Sequence, residues 1–432
     1  MIIGIRGSLL TLNSTDSYIR DGLVIVDSKR GVIVDVAEYS KGLEYKPEII
    51  IGGENYLVTP GLVNTHTHIP MYLFKNTPIR ETGFKWLSRV WKMESCLKPR
   101  HVYYGALAGM AELLRNGVTL LGDMYFYEEE VVKASLEVGI RASPSLGVIE
   151  LYEGPPRHSI EESIQFAERY RDHELVRGLI GVHALYSVTP ESIKKTGEVA
   201  AERGLRVHLH FAESLDEVKY IREKYGVTPA KLAESLDVLR SKPLLAHSVY
   251  LDNGDLEILA KYKPYISYCP FTIMSWGSSI ARIVELLERD VKITIGTNGP
   301  LTAGFMSPLF EIKVAIAAQS SKYHKPLVLD PYTLLKNSII LSAESLEWSN
   351  VGVLERSYKA DIVVWRPPYR ISHLDAHTVA FSLVYDFPLF KPEYVLVNGK
   401  LVLAGNRVLK IDLERVNTKL EEARSELERC AE

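Results

Sequence analysis

The sequence predicts an α/β protein in which a closed (β/α)8 barrel of the TIM type is joined to a small β domain. Between residues 57 and 321, short apolar runs alternate with amphipathic segments of helical length, and this alternation repeats eight times. No phosphate-binding G-x-G-x-x-G sequence follows the first run, which disfavours an open doubly wound sheet. The flanks carry strand patterns instead. We therefore expect one part of the β domain at 1–56, the barrel at 57–349, and the second part with a C-terminal helix at 350–432.

Each predicted element has its own local signal. In the first flank, the run YIRDGLVIVDSKRGVIVDV alternates apolar and polar residues, as half-buried strands do. Residues 98–116 illustrate the barrel helices, because their apolar residues fall on one face and Gly117 provides the stop. In the second flank, VLVNGKLVLAG is typical of a hairpin that turns at Asn398 and Gly399, and a charged helical pattern begins at Leu413. The strand-like runs of the barrel are LVTPGLVNTHTH, VTLLGDMYF, IRASPSLGVI, VRGLIGVHAL, LRVHLHFA, PLLAHSVY, YISYCP and VKITIGTNG.

Composition and charge limit the classes of function. With 46% hydrophobic and 24% charged residues, the chain has the make-up of a globular protein, and its net charge of −3 favours neither nucleic acid nor an anionic membrane as a partner. The N-terminus lacks a secretory pattern and no apolar run is long enough to span a bilayer, so we expect a cytoplasmic enzyme for a small-molecule substrate. Cys96, Cys269 and Cys430 are odd in number and far apart, which argues against a disulfide framework. A symmetric homo-oligomer would be ordinary for such a barrel.

Polar residues cluster where the predicted barrel strands end. In a parallel barrel the active site lies at the carboxyl ends of the strands, so polar residues there are candidates for chemistry. His66 and His68 end the first strand as H-x-H, and the two-residue period of a strand directs both imidazoles to the same side. His208 shares the face of His210, and we interpret it as a supporting or structural residue. The remaining candidates, at the ends of the fourth, fifth, sixth and eighth strands, are His183, His210 with Glu213, His247 and Asn298.

This pattern of residues suits a metal-dependent hydrolysis. Two imidazoles on one strand and a third from across the barrel suit a catalytic divalent ion with an open position for water, with zinc as the first choice and iron as the alternative. The ion would activate water, Glu213 would carry a proton to a leaving amine, and His247 would orient the water or stabilise charge. A single histidine at a strand end is commonly only hydrogen-bonded, and Glu213 alone would serve as a helix cap. The joint occurrence of these residues at several strand ends favours the metal site.

Seven segments of the chain carry a family resemblance. They are PGLVNTHTHIPM, GVTLLGDMYFYEE, VHALYSVTPE, HLHFAES, LLAHSVYL, IGTNGP and KADIVVW. PGLVNTHTH and DMYF are specific, and the others support them by order and spacing. The set is similar to the amidohydrolase superfamily in its deaminase and chlorohydrolase branch, most closely to the methylthioadenosine/S-adenosylhomocysteine deaminases. The resemblance covers almost the whole chain.

The resemblance implies a fold and a metal site. The fold is a barrel with a composite β-sandwich from both termini, and the metal is one divalent ion held by His66, His68 and His210. In the family the eighth strand ends in T-D-G, and its aspartate both binds the metal and accepts a proton from the water. Asn298 stands at that position here, and an amide brings no charge and cannot take the proton.

The resemblance also implies roles for residues outside the metal site. It assigns Glu213 as the proton shuttle, His247 as the neighbour of the attacking water, and His183 as a substrate contact. Trp86 and Glu94, in KWLSRVWKMES, match positions that line the pocket and accept ribose hydroxyls in the nucleoside deaminases. The alternative for these two residues is an amphipathic helix with a buried tryptophan and a solvated glutamate.

The chain departs from the family at two further places. The seventh-strand motif N-P-x-S-N reads CPFTI at 269–273, and an arginine near the end of the third strand is replaced by Ser145. Arg141 matches a different position, where we expect a structural role. Asn298 therefore has four explanations: an engineered change, a three-histidine metal site with Glu213 as sole proton carrier, a ligand-binding relative without turnover, or later conversion of the Asn-Gly sequence to aspartate. The simultaneous differences favour natural divergence.

Together these observations predict a metal-dependent hydrolase that acts on C–N bonds other than peptide bonds. The expected reaction is hydrolytic deamination of an adenine-like or other amino-heterocycle. Dechlorination or amide hydrolysis would use the same groups. The alternative from another class is a catalytically impaired protein that binds a ligand on the same scaffold, which Asn298 favours and the retained histidines and Glu213 disfavour.

Overall fold

A computed structural model describes residues 1–78, 80–367 and 375–431 of the chain. Its strands are β1 (Ile2–Leu10), β2 (Tyr18–Asp27), β3 (Val32–Glu38), β4 (Ile49–Pro60), β5 (Leu62–Thr67), β6 (Val118–Tyr125), β7 (Arg141–Val148), β8 (Leu179–Ala184), β9 (Val207–Phe211), β10 (Leu244–His247), β11 (Tyr265–Tyr268), β12 (Lys292–Ile295), β13 (Ile362–Trp365), β14 (Pro392–Val397), β15 (Lys400–Ala404) and β16 (Arg407–Val408). Its helices are α1 (Tyr39–Gly42), α2 (Gly83–Glu94), α3 (Pro99–Arg115), α4 (Glu128–Val138), α5 (Ile160–Arg169), α6 (Pro190–Arg203), α7 (Leu215–Tyr225), α8 (Pro229–Ser235), α9 (Asn253–Tyr262), α10 (Pro270–Ser275), α11 (Ile283–Leu287), α12 (Pro300–Ala303), α13 (Pro308–Tyr323), α14 (Pro331–Ser345), α15 (Ala376–Tyr385) and α16 (Leu413–Ala431). Within these residues, none of the helices combines the length and the hydropathy needed to cross a bilayer.

The strands β5 to β12 form the predicted barrel. They lie in chain order in one eight-stranded sheet, and every neighbouring pair is parallel. The first and last strands meet at their carboxyl ends, where the N–H groups of Thr297 and Asn298 donate to the carbonyl of His66 at 3.2 and 3.0 Å. Strands such as β6 are buried along their whole length, as expected when helices cover the outside and side chains fill the inside. The predicted (β/α)8 barrel is confirmed.

A second eight-stranded sheet contains both ends of the chain. Its strand order is β16-β15-β14-β13-β4-β1-β2-β3, so strands from the two flanks meet where β13 pairs with β4. Asn398 and Gly399 have φ values of 50° and 69°, the left-handed geometry of a tight hairpin turn, at the predicted place. Gly61 joins β4 to the barrel, and any side chain there would collide with Thr119, since a Cβ would lie 1.9 Å from its Oγ1. The composite β domain is thus directly continuous with the first barrel strand.

Arg141 fastens the barrel to this sheet. It begins β7, and its guanidinium donates to both carboxylate oxygens of Asp361 at 2.8 and 2.9 Å and to the carbonyl of Glu174 at 2.8 Å. Both charged side chains are fully buried, and the guanidinium also lies over the ring of Trp348. Arg141 therefore has the structural role expected from the sequence.

The C-terminal helix α16 is held against the barrel by a disulfide bond. It joins Cys96, just after α2, to Cys430 in α16, which corrects the inference from cysteine number and spacing that argued against disulfide bonding. The two cysteines are 334 residues apart in sequence, so their approach depends on tertiary packing that spacing does not reveal. Arg424 in the same helix donates to the carbonyls of Tyr72 and Leu73. Only Cys269 is a free thiol among the described cysteines, and it is buried.

Candidate active site

The predicted histidines meet at the carboxyl ends of the barrel strands. The ring centre of His66 lies 4.9 Å from those of His68 and His210 and 5.2 Å from that of His247. The ring of His183 is 5.0 Å from that of His210. Four different strands therefore bring five imidazoles into one buried cluster, as the strand-end positions in the sequence indicated.

Several ring nitrogens of this cluster lie close together, and some of them have no hydrogen-bond partner among the described residues. The Nε2 atoms of His68 and His210 are 3.2 Å apart. Nε2 of His66 and both ring nitrogens of His247 are buried and have no hydrogen-bond partner in the described part of the chain. His66, His210 and His247 each offer a nitrogen within 4.8 Å of the other two. Since a buried polar atom without a partner is costly, converging unpaired nitrogens fit a bound cation.

The opposite nitrogens of the histidines are held by neighbouring groups. Nδ1 of His68 lies 2.5 Å from the carbonyl of Met124, and Nδ1 of His210 lies 2.7 Å from the carbonyl of His183. Nδ1 of His66 lies 2.8 Å from Nε2 of His208, the supporting residue inferred from the sequence. Such bonds fix the ring orientation and direct Nε2 of each ring into the site.

Burial keeps the imidazoles neutral. It lowers the pKa of His68 to about 4 and that of His183, His208 and His247 to about 3, and it lowers the pKa of His66 and His210 well below the usual value. Neighbouring histidines lower the pKa of His66 further, because several positive charges in one buried cluster would repel. A neutral imidazole is the form that binds a metal ion, so the cluster is already in the required state near neutral pH.

Glu213 lies beside this cluster on the segment after β9. Its Oε1 is 3.2 Å from Nε2 of His247, and its side chain lines the cavity above the histidines. Burial and, to a smaller extent, the nearby Glu217 raise its pKa to about 8. The helix-cap interpretation does not apply, because the hydroxyl of Ser214 accepts the N–H of Glu217 at the start of α7.

Glu217, which the sequence analysis did not single out, supports the segment that carries Glu213. Its carboxylate accepts the N–H groups of Ala212 and Glu213 at 3.0 and 2.8 Å. Ala212 has a φ of 46°, and His247 and Ser248 at the end of β10 have φ values of 78° and 53°. Left-handed backbone at non-glycine residues is unusual, and three such residues lie where β9 and β10 end at the site.

Asn298 also has a left-handed backbone, with a φ of 64°. Its side chain is 3% exposed, and its Oδ1 accepts the N–H of Gly299 at 2.8 Å. Asparagine tolerates this conformation, so the turn itself accounts for the residue type in part. Asn298 lines the same cavity as His68, His210 and Glu213, as the sequence indicated.

A cavity opens above the histidines. Helix α2 forms one wall with Trp86, Leu87, Val90, Trp91 and Glu94, which lie on one helical face. Glu94 is 3% exposed, and burial raises its pKa to about 8. The alternative of a solvated glutamate on an amphipathic helix is therefore wrong, while a contact with substrate stays a prediction.

The sequence analysis missed several aromatic residues of the cavity. Tyr125 and Phe126 line it from the end of β6, and Trp276 lines it from the loop after α10. The ring centres of Trp276 and Trp86 are 4.9 Å apart, so two distant segments close one side of the cavity together. Tyr125 and Phe126 belong to the quoted DMYF motif and were within reach of sequence reasoning. The only sequence signal for Trp276 was the presence of a tryptophan in a segment rich in glycine and serine.

The two divergent motifs have local structural roles. In the altered seventh-strand motif, the hydroxyl of Thr272 donates to the carbonyl of Thr297 at 3.1 Å and so joins two loops of the site. The hydroxyl of Ser145 donates to the carbonyl of Asp123 and lies 2.9 Å from Nδ1 of His208. Ser145 thus supports the histidine cluster from below.

Comparisons with known proteins agree with this geometry. Residues 57–402 match the model of the Amidohydrolase family. The chain is 32% identical to a 5-methylthioadenosine/S-adenosylhomocysteine deaminase of Pelotomaculum thermopropionicum, over 95% of this chain and 94% of that protein. It is 32% identical to a 5'-deoxyadenosine deaminase of Methanopyrus kandleri, over 91% and 92% of the two chains. An adenosine deaminase from Xanthomonas campestris, solved with bound zinc, has the same fold, with a TM-score of 0.89, 21% identity, and coverage of 99% of this chain and 98% of that one. Because the family match spans most of the sequence, the chain belongs to the Amidohydrolase family and is a hydrolytic enzyme.

Proposed function

We propose that this enzyme hydrolytically deaminates an adenine-like amino-heterocycle with the help of one divalent metal ion. The observation that carries the proposal is the position of Glu213, whose carboxyl group lines the cavity 3.2 Å from His247 and beside a cluster of neutral histidines. A proton carrier next to a site for water activation is what replacement of an amine by water requires. The similarity to the two deaminases supports this choice of reaction.

The histidine cluster would hold the metal ion. His66, His68 and His210 are the proposed ligands, with Asn298 beside them, and His247 lies close enough to take part. Zinc is the proposed metal, since imidazole nitrogens suit it and a related fold was solved with it. When bound, a divalent ion supplies Lewis-acid activation of water near neutral pH.

The chain's own residues would handle the proton and the substrate. Glu213 would take a proton on its carboxylate and deliver it to the leaving amine, which departs as ammonia. His247 would donate or accept a hydrogen bond at the attacked carbon's new oxygen, and its Nε2 lies 3.2 Å from Oε1 of Glu213, so both side chains would act at the same place. His183 would contact the heterocycle, and the face of α2 with Trp86 and Glu94 would cover the other side.

The test is ammonia release by the purified protein. Metal content would be measured first, and then turnover of methylthioadenosine, 5'-deoxyadenosine and adenosine. Glu213→Gln should lower kcat by about 10²–10⁴-fold because the proton carrier is lost, while metal content stays the same.

The matched control is Glu223→Gln, which makes the same change on an exposed side chain of α7 and should leave the rate unchanged. An unchanged rate in Glu213→Gln would refute the role of Glu213. Retained metal without ammonia release from any amino-heterocycle would refute deamination and favour the ligand-binding alternative.

A further inference from the structure

The charges of the side chains that line the cavity limit the substrates that it suits. None of the described residues that line it is a lysine or an arginine. Its carboxyl groups are Glu94 on the α2 wall and Glu213 near the histidines. An anionic group held away from the histidines would find no cationic side chain among the described lining residues, and it would share the cavity with two carboxyl groups.

The walls away from the histidines are apolar and aromatic. Trp86 and Leu87 from α2, Phe126 from the end of β6, and Trp276 face the same space. Trp86 and Trp276 lie in contact across the cavity side, with ring centres 4.9 Å apart. Aromatic walls of this kind stabilise a planar ring and an apolar substituent by burial. A charged group that lost its bound water against these walls would gain no ionic partner from them.

From this distribution of charge we propose that the enzyme selects an uncharged amino-heterocycle whose remaining substituent is apolar, and that it discriminates against substrates that carry a carboxylate there. The inference rests on the proposed deamination, and it adds the charge class of the substrate. A carboxylate in this cavity would lose water without gaining an ion pair, whereas a neutral substituent of the same size would not.

A pair of size-matched compounds tests the proposal. Adenosine 5'-carboxamide and adenosine 5'-carboxylate differ in charge and hardly in shape. We expect kcat/KM to be at least ~tenfold higher for the amide, since only the acid buries an unpaired charge. Equal values, or a preference for the acid, would overturn the proposal. Methylthioadenosine should likewise exceed S-adenosylhomocysteine, whose tail carries a carboxylate.

Binding measurements separate this proposal from the proposed reaction. If no compound releases ammonia, deamination fails, but calorimetric affinities of the amide and the acid still report the charge preference. Tighter binding of the amide would then support the selectivity by itself, and equal binding would refute it.

A variant adds the missing charge. Leu87 is half-buried on the cavity face of α2, so a longer side chain there can reach the cavity. Leu87→Arg should shift the acid-to-amide ratio of kcat/KM toward the acid by roughly tenfold. The matched control Leu87→Gln is polar without charge and should keep the wild-type ratio. If both variants show the same ratio, charge does not determine the selectivity.

Discussion

The two ends of the barrel differ in how their buried ionisable side chains are partnered. At the end that faces the terminal sheet, Arg141 and Asp361 are fully buried, and the guanidinium uses both carboxylate oxygens and the carbonyl of Glu174. At the end that carries the histidines, Nε2 of His66 and Oε1 of Glu311 are buried without a hydrogen-bond partner in the described chain. Paired buried charges are typical of a structural joint, and buried ionisable groups without partners gather where a protein binds a ligand or performs chemistry.

From this difference we expect substitutions at the sheet-facing end to change the stability of the fold, and substitutions at the histidine end to change function. The sheet-facing pair should contribute to folding and little to turnover, because it contacts neither the cavity nor the histidines. The buried polar groups without partners at the histidine end should make the fold less stable, and they should be needed for the activity of the enzyme. Three substitutions separate these effects.

The largest expected effect is on folding, at the sheet-facing end. Arg141→Leu leaves the Asp361 carboxylate buried without its cation, which should lower the free energy of unfolding by about 3–5 kcal/mol. Denaturant titration measures the loss, and the folded fraction should keep the wild-type kcat. The control Arg141→Leu/Asp361→Asn removes the stranded charge but keeps an acceptor for the N–H of Asn398, so it should recover part of the stability. If Arg141→Leu unfolds with the same free energy as wild type, the buried pair does not stabilise the fold, and the contrast between the two ends of the barrel fails.

An intermediate effect is expected at Glu311, below the site in α13. Burial raises its pKa to about 8 from 4.5, and its Oε2 accepts the N–H of Phe271 at 2.9 Å. Between these two pKa values the unfolded chain is ionised and the folded one is protonated, so the folded state binds more protons and stability falls as pH rises. Glu311→Gln removes this dependence and keeps an acceptor oxygen.

The variant should therefore gain stability relative to wild type by up to about 1.4 kcal/mol for each pH unit in that window. Thermal or denaturant unfolding at several pH values measures it, with the exposed Glu223→Gln as control. The difference in the free energy of unfolding between the variant and wild type could instead stay constant from pH 5 to 8. That result would show that Glu311 is ionised in the folded protein.

The smallest expected effect is on metal affinity. Asn298→Asp brings a negative charge beside the histidine cluster and keeps an oxygen to accept the N–H of Gly299. It should tighten metal binding on the order of tenfold, or ~1.4 kcal/mol, because a carboxylate attracts the cation and an amide does not. Competition with a chelator measures this, and Asn298→Ala is the control that removes the oxygen. Equal affinities in wild type and Asn298→Asp would mean that this side chain does not reach the metal.

Local sequence patterns predicted much of the site. The H-x-H of His66 and His68 places two imidazoles on one face because side chains of a strand alternate, and a parallel barrel brings all strand ends together. Trp86, Val90, Trp91 and Glu94 follow the period of a helix, so the sequence places Glu94 on the same face as the two tryptophans. Its burial, which separates a cavity residue from a solvated one, depends on what packs against that face.

The sequence alone therefore determined the order of the elements and the closed barrel. It also determined which strand ends carry the histidines and Glu213. These follow from signals that repeat within a few residues, and from a topology that leaves few ways to combine them. The tertiary structure alone decided the disulfide between Cys96 and Cys430, the pairing of Trp86 with Trp276, and the unpaired nitrogens of the cluster. Each of these features forms only when segments far apart in the chain come together. Packing and burial bring those segments together, and the spacing of residues within one segment does not predict it.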